Sequence, residues 1–165
     1  MSDLYIIRHG IAAERGTYTR DGERPLTEEG RRKTRQVANR LVELKLQFDL
    51  ILTSPLVRAQ QTAEILQAEG LSSRLEVSDY LAPDGSLEAW LAWFDEWQRS
   101  HPNAPLAIVG HQPDLGNWAE TLVWGQAREG LVLKKAGVIG LTIPGSGQAI
   151  ANSSLFWLSP PKFLL

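Results

Sequence analysis

The 165-residue chain contains no cysteine. Disulfides, thiolate nucleophiles and cysteine-ligated metals are therefore excluded. No segment approaches the roughly 18 apolar residues of a membrane span. The apolar stretch behind the N-terminus is too short for the core of a signal peptide. Neither sign of charge is in excess: 17 Lys and Arg face 19 Asp and Glu, a formal net charge of −2. No nucleic-acid or membrane-binding surface is expected from that balance. Histidine is scarce, and no second histidine or carboxylate stands at metal-ligand spacing from His111, so no metal site and no cofactor are expected. Repeats, low-complexity tracts and interdomain linkers are missing too. The remaining reading is one soluble, cytoplasmic domain over residues 1–165, long enough to bury a sizeable core. Any anion it binds must be met by charge concentrated locally.

Short apolar runs rich in strand formers alternate with segments of helical periodicity. Leu4–Ile7 reads as a buried strand, followed by a polar loop from Ile11 to Leu26. Thr27 suits a helix N-cap, with Glu28 and Glu29 in the first turn where the dipole favours acids. Thr34, Val37, Ala38, Leu41 and Leu44 then form an apolar stripe, and Arg31, Arg32, Lys33 and Arg35 a solvated face. Leu50–Thr53 is a second strand, and Ser54-Pro55 starts a helix with the inner stripe Ala59, Thr62, Ala63 and Leu66. Gly70 is its expected C-cap. A short strand over Leu75–Val77 precedes a helix capped by Ser86, with Leu87, Trp90, Leu91, Phe94 and Trp97 facing the core; His101 lies in the loop beyond. Leu106–Val109 is a further strand, Pro113–Val123 a helix, and Val138–Ile143 and Leu155–Leu158 two strands joined through the turn Pro144-Gly145-Ser146-Gly147. The alternation predicts a three-layer α/β/α domain. Its sheet should be mostly parallel, with an antiparallel C-terminal part.

Three strand ends carry the chemistry: Arg8-His9-Gly10, Ser54-Pro55 with Arg58, and Gly110-His111. Ligands of open α/β sheets bind outside the carboxyl ends of parallel strands, so two arginines and two histidines are expected to converge there. Arginine forks bind phosphate oxygens bidentately. A neutral imidazole is a nucleophile that forms covalent intermediates. Gly10 is expected to let the backbone turn sharply beside His9. Arg8 and Arg58 would disfavour the imidazolium form of His9. His111 would hold an equatorial oxygen or assist the departing group, and Gln112 is a further candidate for a phosphate contact. Arg58 could instead pair with an acid such as Glu64.

Ile7-Arg8-His9-Gly10 resembles the defining motif of the histidine phosphatase superfamily, which also contains the phosphoglycerate mutases. Residues 54–63, Ser-Pro followed by Arg-Ala and then Gln-Thr-Ala, look like its second motif, and Val109-Gly110-His111 like its third. Arg24-Pro25-Leu26-Thr27 followed by Glu-Glu-Gly is similar to a segment of the SixA-type phosphohistidine phosphatases. The resemblance implies a phosphoglycerate mutase-like fold and a metal-independent phosphatase with His9 as nucleophile. It places Arg8, Arg58, His111 and Arg24 around the phosphate. The implied partner is phosphohistidine on a phosphorelay-type signalling protein. A small phosphate ester such as a sugar phosphate is one alternative, and a phospho-binding module without turnover another. Oligomeric state is not legible. The general acid of the wider superfamily has no trusted counterpart: Glu14, Asp21, Glu23 and Asp84 are candidates.

Overall fold

The computed structural model describes residues 1–145 and 147–165. Ser146, in the expected turn after Ile143, lies outside the described residues. The strands are β1 (Ser2–Arg8), β2 (Leu50–Thr53), β3 (Leu75–Val77), β4 (Leu106–Gly110), β5 (Val138–Ile143) and β6 (Ser154–Ser159). The helices are α1 (Glu28–Glu43), α2 (Val57–Ala68), α3 (Leu87–Ser100) and α4 (Asp114–Trp124). One sheet is ordered β3-β2-β4-β1-β5-β6. β3, β2, β4 and β1 are mutually parallel, whereas β5 runs antiparallel to β1 and β6 antiparallel to β5. The expected α/β class, with a parallel body and an antiparallel C-terminal part, is the observed one.

The sheet separates two cores, as the period-2 alternation of its strands requires. Leu4 and Ile6 of β1 face one side with Leu106 and Ile108 of β4 and the aromatics Trp90, Phe94, Trp97 and Trp118 from α3 and α4. Tyr5 and Ile7 face the other side with Ala107 and Val109, under Val37, Ala38 and Leu41 of α1 and Ala59, Ala63 and Leu66 of α2. Trp90 stacks on Phe94 at 4.9 Å between ring centroids, so the aromatic spacing in α3 serves packing. The C-terminal tail docks through Leu164, which is buried in the second core, while Phe163 stays exposed.

Several expected boundaries move. Thr27 does cap α1, its Oγ1 accepting from Gly30 N at 2.9 Å, and Ser86 caps α3 through Ala89 N. Leu44 leaves the apolar stripe, because α1 ends at Glu43 and Leu44 is exposed. α2 starts at Val57, not at Ser54-Pro55, because Ser54 is spent on other bonds described below. Gly70 follows the C-cap Glu69 and has φ +101°, a left-handed conformation suited to glycine. His101 is a helix-end residue, stacked on Trp97 at 4.8 Å.

Candidate active site

The carboxyl ends of β1, β2 and β4 lie side by side, since β4 is bonded to both neighbours. A cavity of about 480 Å³ opens there. Arg8, His9, Arg24, Arg58, His111 and Gln112 all line it. His9, Arg24, Arg58 and His111 are each less than a tenth exposed. The two histidine rings sit 5.2 Å apart, centroid to centroid.

Hydrogen bonding fixes the state of His9. Its Nδ1 lies 2.7 Å from the carbonyl oxygen of Gly10. A carbonyl only accepts, so Nδ1 carries the proton and Nε2 keeps its lone pair. Burial pushes the ring's pKa down to about 3, against the Gly10 bond and with help from His111, Arg58 and Arg8. The arginines expected to keep His9 neutral act in that direction, but desolvation is the larger cause. His111 is lowered to about 4, again chiefly by burial and then by Arg58. Its Nε2 is 2.7 Å from Ser54 Oγ. Ser54 Oγ accepts from Leu56 N, and His111 Nε2 is the acceptor within reach of its own proton, so the best-satisfied arrangement has Ser54 donating to Nε2 of His111. His111 Nδ1 then carries a proton, and that buried atom has no partner.

Gly10 sits behind His9 rather than in the cavity lining. Its φ is not left-handed; the glycine is required by close packing. A Cβ there would fall 2.5 Å from Thr34 Oγ1 of α1. Its N–H donates to Thr62 Oγ1, which donates in turn to the Arg58 carbonyl. Thr62 thus ties the strand end carrying His9 to the helix turn carrying Arg58.

Arg58 does not pair with Glu64. Its Nη1 and Nη2 donate to the backbone oxygen and the carboxylate of Asp21, at 3.0 and 3.1 Å. The same carboxylate takes Arg24 Nε at 2.7 Å. Arg24 also reaches the Ala13 carbonyl, and Gln61 accepts from Leu26 N, pinning the loop to α2. Arg24 is therefore a buried pocket residue. Asp21, bonded first to Arg24, has its pKa held down; it tethers two guanidiniums and is not a proton donor at neutral pH. Glu14 and Asp84 line the cavity, as does Asp114, an acid the sequence reading missed. Asp114 accepts from Asp84 N at 2.8 Å. Glu23 is not in the lining and pairs with Arg20 at 4.0 Å. Gln112 spends its Oε1 on Gly116 N, near the start of α4.

Two more cations were missed. Arg15 lines the cavity, as does Lys135, whose pKa is lowered by burial and then by Arg8 and Arg24. Lys135 follows Lys134 just before β5, and only the β1–β5 pairing carries it to the strand ends. Arg8 donates Nη1 to the Leu133 carbonyl, and the Nε atoms of Arg8 and Arg58 are buried without partners. Among the described residues, no three His, Asp or Glu side chains are grouped to hold a metal ion.

Residues 4–82 match the model of the histidine phosphatase superfamily (branch 1). An uncharacterized protein of Picosynechococcus sp. is 53% identical over 164 residues, 99% of each chain. The phosphohistidine phosphatase SixA of Escherichia coli is 29% identical over 150 residues, 90% of each chain. A structure of the protein histidine phosphatase SixA complexed with tungstate superposes with a TM-score of 0.85 at 27% identity, covering 99% of each chain. With sequence and fold alike over nearly its whole length, this chain belongs to the histidine phosphatase superfamily and is of the SixA type.

Proposed function

We propose that the protein is a metal-independent phosphohistidine phosphatase acting on His-phosphorylated signalling proteins, with His9 as nucleophile. The observation that carries this reading is a set of buried, unpartnered N–H donors. Arg8 Nε, Arg58 Nε and His111 Nδ1 lack partners on residues lining the cavity that holds His9. Buried donors are normally satisfied. Three orphans in one cavity fit a tetrahedral oxyanion, and the SixA relative was obtained as a complex with one, tungstate.

In the first step His9 Nε2 attacks phosphorus in line. The P–N bond of the substrate breaks with the substrate ring protonated on its other nitrogen, so the electron pair leaves on a neutral imidazole rather than on an imidazolate. Gly10 holds the His9 proton on the far nitrogen throughout. Arg8, Arg24, Arg58 and His111 receive the equatorial oxygens with charge fixed in advance, which is electrostatic preorganisation. In the second step water attacks phosphorus, the P–Nε2 bond breaks, and inorganic phosphate leaves.

The choice of phosphohistidine rests on the leaving group. Serine departs as a strong base unless a general acid protonates it, and such an acid contributes on the order of 10²–10⁴-fold. A phosphohistidine ring protonated on its other nitrogen, which titrates close to neutral pH, departs as neutral imidazole, whose conjugate acid has a pKa of about 6.5, and needs no acid from the protein. Asp21 is held ionised by arginines and Glu23 stands outside the cavity, which weakens two of the four candidate acids. The test is kcat/KM on matched phosphohistidine and phosphoserine peptides. A preference for phosphohistidine of about 10² is expected; equal values would overturn the substrate assignment.

A further inference from the structure

A second cavity of about 480 Å³ adjoins the first. The two share Arg8 and Lys135. Ile11, Ala136, Pro160 and Pro161 give the second one an apolar floor. Lys33, Lys134 and Lys162 join Arg8 and Lys135 in its lining, and no Asp or Glu does. Lys33 pairs with Glu29 at 3.0 Å. Among the described residues, Lys134, Lys135 and Lys162 form no ion pair. The carboxylates of the site, Glu14, Asp21, Asp84 and Asp114, line only the catalytic cavity. In a chain of net charge −2, uncompensated cations are thus gathered on one side of the nucleophile.

The chemistry of this groove selects its occupant. A floor of proline, alanine and isoleucine offers little to a second phosphate group, which would lose water without gaining donors below it. It suits an apolar side chain, and lysines around it suit carboxylates on the same segment. We propose that this groove docks an acidic polypeptide segment flanking the phosphorylated residue, with an apolar side chain over Ile11 and Pro161 and carboxylates facing Lys33, Lys134 and Lys162. The proposal rests on the phosphoprotein reading of the catalytic cavity and deepens it. The phosphoryl group arrives on a protein whose surface beside the phosphorylated residue is acidic. Encounter is then steered by opposite charge and weakens with salt.

Four synthetic peptides test this. Phosphohistidine or phosphoserine is flanked either by Glu and Leu or by Ser and Gly. For whichever phosphorylated residue is turned over, the acidic flank should raise kcat/KM by roughly tenfold at low ionic strength and lose that advantage in high salt. Lys134→Glu with Lys162→Glu, both exposed positions, should abolish the acidic-flank advantage. The same variant should leave kcat/KM for a small aryl phosphate within about twofold, since these residues lie outside the catalytic cavity. Lys134→Gln with Lys162→Gln should give a partial loss in the same direction. An acidic-to-neutral ratio near one, a ratio unchanged in the variants, or turnover of the aryl phosphate alone would overturn the docking site. The two readings separate cleanly. A flank effect seen on phosphoserine peptides only keeps the groove and removes the phosphohistidine assignment.

Discussion

Two buried charged clusters in this molecule are built in opposite ways. Around Glu120, on α4, everything is satisfied. The carboxylate is 1% exposed and accepts four backbone N–H bonds, from Arg128 and Glu129 on one oxygen and from Gly130 and Leu131 on the other. Burial alone would raise its pKa, yet those bonds hold it below the ordinary carboxylate value. Around His9 the signs reverse and the satisfaction is missing. Cationic and neutral N–H donors are buried there, and three of them have no acceptor. One cluster is an anion site closed by the chain's own carboxylate; the other keeps unpartnered donors facing a cavity, which the proposed function fills with a phosphoryl group. The buried indole N–H groups of Trp90 and Trp97 also lack partners, but they lie in the apolar core; the three orphans near His9 share one open cavity, where a ligand can complete them.

The two clusters are also mechanically linked. The 128–131 segment held by Glu120 runs directly into Leu133, whose carbonyl receives Arg8, and into Lys135. The closed cluster therefore helps to position the open one.

The comparison should break most visibly at His9, the proposed nucleophile. His9→Ala should lower turnover by at least about 10³-fold while the protein still folds, because no other group offers a buried, unprotonated nitrogen at that point. Steady-state kinetics and circular dichroism check this. Arg58→Ala comes next, with an expected loss of about 10²-fold in kcat/KM for one charged donor. Arg58→Lys should not recover it, since a point charge cannot replace the fork that meets Asp21 and, on the proposed reading, phosphate as well.

The closed cluster should answer in stability instead. Glu120→Ala should cost about 1–3 kcal/mol in urea denaturation, the range for buried polar groups left without a partner. Its effect on kcat/KM should be smaller than that of Arg58→Ala and should appear mainly in KM, through the loosened Arg8 support. A Glu120→Ala enzyme as impaired as Arg58→Ala would erase the distinction between the clusters.

A further effect concerns pH. His9 and His111 stay neutral in the fold down to about 3 and about 4, whereas an unfolded histidine protonates near 6.5. Between those limits the unfolded chain binds more protons, so stability falls as pH falls below about 6.5, by up to about 1.4 kcal/mol per pH unit for each ring. The lowered pKa values of Asp21 and Glu120 act in the same sense at the acid end, their contributions being lost as pH drops through the folded pKa. His9→Asn should flatten the slope between pH 6 and 4.5 by roughly half in thermal melts. Inorganic phosphate or tungstate at neutral pH should raise the melting temperature of the wild type by ligand linkage, and less so that of Arg58→Ala.

Much of this was legible in the sequence, for physical reasons that differ by element. The strands could be read because their apolar runs are short and bounded, two of them ending in Arg8-His9 and Gly110-His111 and a third in Ser54-Pro55. The caps Thr27 and Ser86 were legible because capping is local. Long-range pairings were not. Asp21 as partner of Arg58, at 37 residues' separation, cannot be told from Glu64 without the fold. Glu120 looked like an ordinary helix glutamate, and only the return of the 128–131 loop reveals its role. Lys135 came to the site through the antiparallel pairing of β5 with β1, a register that no local signal encodes. Gly10 was singled out, but for a turn; its actual constraint is the approach of Thr34 from another helix. Its carbonyl nonetheless sets the tautomer of the neighbouring ring.

The most direct test of the open site is to trap the covalent intermediate. Wild-type enzyme mixed with a labelled phosphohistidine peptide, quenched in alkaline detergent where P–N bonds survive, and digested for mass spectrometry should carry the phosphoryl group on His9, with and without EDTA. No label should appear in His9→Ala. Label on His111 or on a carboxylate, or a labelled and active His9→Ala enzyme, would contradict the account.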